Sequence, residues 1–181
     1  ANLEGLSEAS GEGETGWTTI HEVNEETDPY PRKLVNTVTE PGSGMVTGSA
    51  SHHARPVAAA FDGNKTPGSS EGRWMAYQTD LPNVFAQFQF HNMARYEVSS
   101  YSLMSQHQKA NKRSPKSWRF QGINLATLMT TGIWADLDVV VDEPTWDADE
   151  TRTYHVDTPG EYEYYRLLIT EALSLIHISE P

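Results

Sequence analysis

The chain has 181 residues, a formal net charge of −12, 37% hydrophobic residues and 10% aromatics. That length supports one domain with a sizeable core, and the charge argues against a general nucleic-acid binder, whose phosphate contacts need a positive surface. Cysteine is absent, which excludes disulfides, thiolate metal sites and cysteine catalysis; no apolar run reaches the ~18 residues of a membrane helix, and no charged-then-apolar leader opens the sequence.

Charge divides the chain. Residues 1–44 hold nine acids and two bases, net −7, whereas residues 45–171 hold fifteen acids and eleven bases, net −4. The first stretch contains "EGLSEASGEGETG" and reads as an acidic linker or the end of a preceding module. Within it, "GWTTIHEV" suits a short strand.

From about Met45 the pattern becomes one of alternation. "VFAQFQF" sets Val84, Ala86, Phe88 and Phe90 on one face and Gln87 and Gln89 on the other, the period of a half-buried strand. "RYEVSSYSL" changes phase between Val98 and Tyr101, as a bulge produces. "SWRFQG" alternates Trp118 and Phe120 with Arg119 and Gln121. "RTYHV" places Tyr154 with Val156, and "EYYRLLI" places Tyr165, Leu167 and Ile169 together. Turn-rich pieces such as "FDGNKTPGSSEG", "NKRSPKS" and "DTPGEYE" separate these runs. No apolar stripe of helical period is sustained. Short strands at this spacing predict an all-β sandwich or jelly roll.

The landmarks "AAAFDGNKT", "RWMA", "PNVFAQFQF", "YSLMSQ", "RSPKSWRFQGIN", "GIWADLD", "ETRTYHV" and "YEYYRLLITE" follow in that order. Together they resemble the galactose-binding-like β-sandwich family, the discoidin or coagulation-factor type C modules and their carbohydrate-binding relatives, with versions in bacterial surface proteins and phage tail or fibre proteins standing nearest. The resemblance covers residues 45–171. It implies an eight-stranded antiparallel jelly roll whose loops at one end bind a ligand, and core positions for Trp74, Trp118 and Trp134. Trp17 and Trp146 lie in polar surroundings and receive no assignment.

Two sites follow as expectations. "FDGNKT" gathers the Asp62 carboxylate, Asn64 amide and Thr66 hydroxyl around a Gly63 turn, oxygens of the kind calcium takes; by itself the turn also suits a metal-free Asx turn. The resemblance implies a structural calcium held by Asp62, Asn64, Thr66 and Glu171, pinning the two ends of the domain. For the ligand, galactose-binding relatives place a His after the Trp of "RW" and an Arg after the "YSL" strand. Here Met75 and "MSQHQ" stand instead, which puts galactose itself in doubt. The candidates nearby are Tyr77, Gln78, Gln106, His107 and Arg113: an aromatic face with charged and amide hydrogen-bonding groups.

A basic run (Lys109, Lys112, Arg113, Lys116, Arg119) has a counterpart in the acids between Asp136 and Glu150. It suits either a solvated loop or contact with an anionic glycan or neighbouring subunit. No catalytic motif of the G-x-S-x-G, H-E-x-x-H or phosphate-loop kind is present, so no enzyme is expected. The expected function is a non-catalytic carbohydrate- or cell-surface-binding module of a larger extracellular, cell-surface or virion protein. The partner is a surface glycan or, in the alternative, a neighbouring protein subunit in a surface or phage assembly, with homo-oligomers forming through the parent protein.

Residues 172–181 are expected to form a separate unit. Leu173–Pro181, "LSLIHISEP", match the reading frame CTG-TCT-CTT-ATA-CAC-ATC-TCC-GAG-CCC, which resembles the transposon end and adapter of sequencing libraries. The expectation is a non-native tail on a metagenomic fragment, with Ser174–Pro181 excluded from every site; the alternative is a genuine terminal strand, "LSLIHI".

Overall fold

The computed structural model describes residues 2–8, 18–19, 44–49, 57–61, 74–76, 80–107 and 110–173. Of the site candidates, Asp62, Asn64, Thr66, Tyr77 and Gln78 lie outside them, as do Trp17 and the tail from Ser174 onward.

Among the described residues ten strands are formed: β1 (Asn2–Glu8), β2 (Thr18–Thr19), β3 (Gly44–Gly48), β4 (Val84–Phe90), β5 (Tyr96–Met104), β6 (Pro115–Ile123), β7 (Ala135–Val140), β8 (Thr151–His155), β9 (Glu161–Tyr162) and β10 (Tyr164–Ala172). Eight of them have five residues or more, β2 and β9 being two-residue pieces. All pairings are antiparallel. One sheet runs β2-β1-β5-β8, with β9 also on β5, and the other runs β3-β4-β10-β6-β7. Two short helices, α1 (Ala110–Arg113) and α2 (Leu125–Thr130), occupy connections. β1 and β2 draw two pieces of the acidic N-terminal stretch into the first sheet.

Alternation decides which side chains meet between the sheets. In β4, Val84, Ala86, Phe88 and Phe90 are 4% exposed or less, while Phe85, Gln87 and Gln89 between them are half-buried on the outer face. β10 contributes Tyr165, Leu167 and Ile169 inward, and β6 contributes Trp118 and Phe120. The phase change expected in β5 is present: Tyr96 and Val98 face the core, then Tyr101 and Leu103. It falls where β5 exchanges β9 for β8 as its partner, at Ser99–Ser100.

Aromatic rings fill the interior in mutual contact. Phe88 meets Phe90 edge-on at 4.8 Å, Phe90 lies 4.3 Å from Tyr96, and Tyr101 stacks on Phe120 at 4.6 Å. Such pairs contribute about 0.5–1.5 kcal/mol each beyond the area they bury. The Tyr165 hydroxyl lies 2.5 Å from the Tyr96 carbonyl and 2.7 Å from that of Gly160, which ties β10 to β5 across the sandwich. Gly122 is required for a close approach: a Cβ there would stand 2.4 Å from the Tyr162 ring.

One tryptophan departs from its expected core role, and another, unassigned from the sequence, joins the core. Trp134 is not in the core. It precedes β7 with the parity of outward-facing Asp136, and its ring lies over the Arg166 guanidinium at 4.1 Å on the outer face of the second sheet. Trp146, from a polar loop, is 2% exposed and belongs to the core. Its Nε1 donates to the Pro115 carbonyl at 3.0 Å, and Arg152 covers its ring at 4.3 Å. Trp74 and Trp118 take the expected core roles, Trp74 partly buried against the core and Trp118 wholly buried.

Candidate functional site

The register brings several connections to one end of the sandwich. Gly48 of β3 pairs with Ala86, Ile169 with both Val84 and Trp118, Glu171 with Ser117, and Leu103 with Arg152. The β5–β6 and β7–β8 connections and the C-terminal end of β10 therefore share this end, as do the last residue of β3 and the first of β4. Gln106, His107, Arg113 and Glu171 all belong to it.

The β5–β6 and β7–β8 connections are clasped together by Ser105, which is buried. Its hydroxyl donates to the Asp147 carbonyl at 2.5 Å and accepts from the Glu150 amide at 3.0 Å, and its own amide donates to the Glu150 carbonyl at 2.8 Å. This backbone–side-chain clasp adds to the burial of Trp146 in holding the β7–β8 loop. Two residues on, His107 Nδ1 meets Asp149 Oδ2 at 2.5 Å. Asp149 holds a φ of 56°, a left-handed angle that Asp tolerates better than most residues. The His107 side chain is half-exposed, and Gln106 beside it is half-buried.

Arg152 anchors the far side of the loop. Its Nε and Nη2 donate to the two Glu150 oxygens at 2.7 and 2.9 Å. Nη1 donates to Glu143 Oε1 at 2.7 Å and to the Pro144 carbonyl at 3.2 Å, and Nη2 also donates to the Thr145 carbonyl at 2.9 Å. The Tyr154 hydroxyl donates to the same Glu143 oxygen at 2.9 Å. Bonding to Glu150 and then Glu143 raises the Arg152 pKa above its ordinary value, and the Arg152 bonds hold the Glu150 carboxyl below its own. The fork geometry of guanidinium is what permits five acceptors around one side chain. The result is a β7–β8 loop held in one shape against His107.

Two residues of the basic run, Lys116 and Arg119, pair with acids of this chain. Lys116 bridges Asp142 at 2.9 Å and Glu171 at 2.7 Å, and Arg119 meets Asp136. Lys112 and Arg113 on α1 are exposed, and among the described residues Arg113 makes no ion pair.

Of the four calcium ligands inferred from the sequence, Glu171 alone is described. Its Oε1 accepts from Lys116 and its Oε2 from the Ser117 hydroxyl at 3.3 Å, so the carboxylate already has a cation beside it. Among the described residues no group of three His, Cys, Asp or Glu side chains is placed to hold a metal. Also among them, no helix is long and apolar enough to cross a membrane.

No protein-family model matches the sequence, and no curated protein matches it. Solved structures do match in fold. The family 32 carbohydrate-binding module of Clostridium perfringens NanJ, solved with galactose, is 16% identical, with a TM-score of 0.50 over 72% of this chain and 84% of that one. A second C. perfringens family 32 module, solved with GalNAc-β-1,3-galactose, is 10% identical, with a TM-score of 0.52 over 72% and 86%. A structure of the Streptococcus pneumoniae β-galactosidase BgaA is 14% identical, with a TM-score of 0.54 over 78% and 90%. The chain thus has the galactose-binding-like β-sandwich fold. Identities this low make the likeness one of architecture, and function has to be argued from the site.

Proposed function

We propose that this chain is a non-catalytic glycan-binding module of a larger extracellular protein, and that it binds sugar at the end of the sandwich carrying Gln106 and His107. The observation that carries this reading is the His107–Asp149 pair, set in clasped strand-end loops of a fold whose solved relatives include modules holding galactose and GalNAc-galactose. With Nδ1 engaged by Asp149, the ring is oriented and Nε2 is left to hydrogen-bond a sugar hydroxyl. Gln106 supplies amide donors and acceptors next to it. Arg113 adds an exposed cation from α1, and Tyr77 and Gln78 complete the proposed set. In this role His107 stands where galactose-binding relatives use other residues, so the sugar recognised need not be galactose.

A glycan array followed by titration tests this. Binding to at least one glycan is expected, with His107→Ala weakening it about tenfold, the scale of a lost hydrogen bond to a charged or polarised group. An array with no glycan bound, or full affinity retained by the alanine variant, would overturn the assignment.

Calcium is the second part of the proposal, with Asp62, Asn64, Thr66 and Glu171 as its ligands. Binding requires Glu171 Oε1 to exchange the Lys116 ammonium for the ion. A ligand bound only by the native state at about 100 times its Kd stabilises it by about 2.7 kcal/mol, or about 5–10 °C in Tm for a chain of this size. Chelation is therefore expected to lower Tm by that amount; an unchanged Tm rules the ion out.

A further inference from the structure

The outer face of the β3-β4-β10-β6-β7 sheet carries a feature that the loop end does not use. Cross-strand pairing aligns Thr47 with Gln87, Gln87 with Arg166, Arg166 with Gln121, and Gln121 with Asp136. One polar side chain from each of five strands thus forms a single row. At about 4.8 Å between strands the row is about 19 Å long, the reach of an oligosaccharide rather than of one sugar ring.

Arg166 is the centre of the row. Its guanidinium lies 4.1 Å from the centroid of Trp134 and 5.8 Å from that of Phe85. Its Nε donates to Gln121 Oε1 at 2.7 Å. Stacking and this bond fix the plane of the fork, and none of the described residues accepts from Nη1 or Nη2. The one carboxylate of the row, Asp136, is already engaged by Arg119 and by Gln121. Counting Arg119, Arg166 and Asp136, this patch is net positive on a chain of net charge −12. Partial burial lowers the Arg166 pKa, against the raising effect of the nearby Asp136 charge.

We propose that this face is a second ligand surface, separate from the loop end, and that its ligand is an extended saccharide bearing carboxylates. A carboxylate is the planar, two-oxygen group that a fixed guanidinium fork pairs with in bidentate fashion. Gln87 offers an amide to ring hydroxyls, Gln121 uses its own to hold Arg166 and Asp136 in place, and Trp134 offers an indole as a flat wall. An acidic peptide is the less suited ligand: backbone recognition by strand addition needs an open sheet edge, and Arg166 and Gln121 stand on interior strands with both sides paired.

The test is calorimetric titration of the full chain with a galacturonate tetrasaccharide, a neutral galactose tetrasaccharide and tetraglutamate. The galacturonate is expected to bind and the other two not to bind measurably. Arg166→Gln is expected to weaken galacturonate binding about tenfold or more, with His107→Ala leaving it unchanged. Gln87→Glu is a second variant that places a carboxylate opposite Arg166 on the exposed side, with little risk to folding; it is expected to weaken binding as much. No binding by the wild type, equal binding of the neutral sugar, tighter binding of tetraglutamate, or unaltered affinity in Gln87→Glu would each overturn the proposal. The loop-end reading is judged by the glycan array and His107→Ala, this one by Arg166→Gln and Gln87→Glu, so either site can fail without the other.

Discussion

Replacing Trp118 by alanine is expected to destabilise the domain by about 3–5 kcal/mol, the cost of deleting a wholly buried large aromatic. Three losses combine. The ring leaves a cavity between the sheets, where it meets Tyr154 edge-on at 5.1 Å. Its Nε1 no longer donates to the Tyr101 hydroxyl at 2.7 Å. Its strand loses an anchor midway between Ile169 of β10 and Val140 of β7, its register partners. Urea unfolding followed by far-UV circular dichroism measures the change. A loss below about 1 kcal/mol would mean that the interior repacks around the gap, against the close packing described here.

The second large effect concerns the acceptor at the end of the same chain of bonds. Trp118 donates to the Tyr101 hydroxyl, and that hydroxyl donates to Asp138 Oδ2 at 2.6 Å. Asp138 lies on β7 in one sheet and Tyr101 on β5 in the other, so the bond spans the sandwich. Asp138→Ala leaves the buried tyrosine hydroxyl without its acceptor, an expected loss of about 1–3 kcal/mol before any cavity is counted. Asp138→Asn keeps an acceptor oxygen and removes the charge, so a change within about 1 kcal/mol is expected at neutral pH.

The two forms of Asp138 also predict a pH dependence. Burial, reinforced by the nearby Asp157 charge, raises the folded-state pKa above the ordinary 3.8, against the lowering effect of the Tyr101 hydrogen bond. A raised carboxyl pKa means that the protonated form is the better tolerated one in the fold. Its contribution is fully present below the ordinary carboxylate value and is lost as pH rises through the raised one. Wild-type stability measured relative to Asp138→Asn is therefore expected to be greatest in acid and to decline as pH rises through the raised value. The opposite slope would mean that the hydrogen bond to Tyr101, not desolvation, dominates the carboxyl.

Much of the sandwich was written in the alternation of β4, β5, β6 and β10. Val84, Ala86, Phe88 and Phe90 face inward because a pleated strand sends every second side chain to the same side, and no distant contact is needed to know it. The phase change after Val98 was legible for the same reason. The order of landmarks carried the fold class, and Trp118 and Trp74 followed from it.

What only the tertiary structure decided lies where the chain leaves that period. Trp146 stands in a polar loop and is buried because Pro115, distant in sequence, and Arg152, from the strand that follows the loop, close around it. Trp134 sits in an apolar-looking stretch and faces outward because its parity is that of Asp136, while the irregular register of β6 against β7 turns both Leu137 and Asp138 inward. The same holds for charge. Lys116 and Arg119 read as part of a basic run, solvated or open to a partner, yet their acids, Asp142, Glu171 and Asp136, arrive from neighbouring strands and the loop after β7. His107 was a candidate from its place in the sequence; the residue that orients it, Asp149, became visible only when Ser105 drew two loops together. Periodicity is a local property of the backbone and can be read along the chain, whereas loop docking and ion pairing depend on which strands become neighbours.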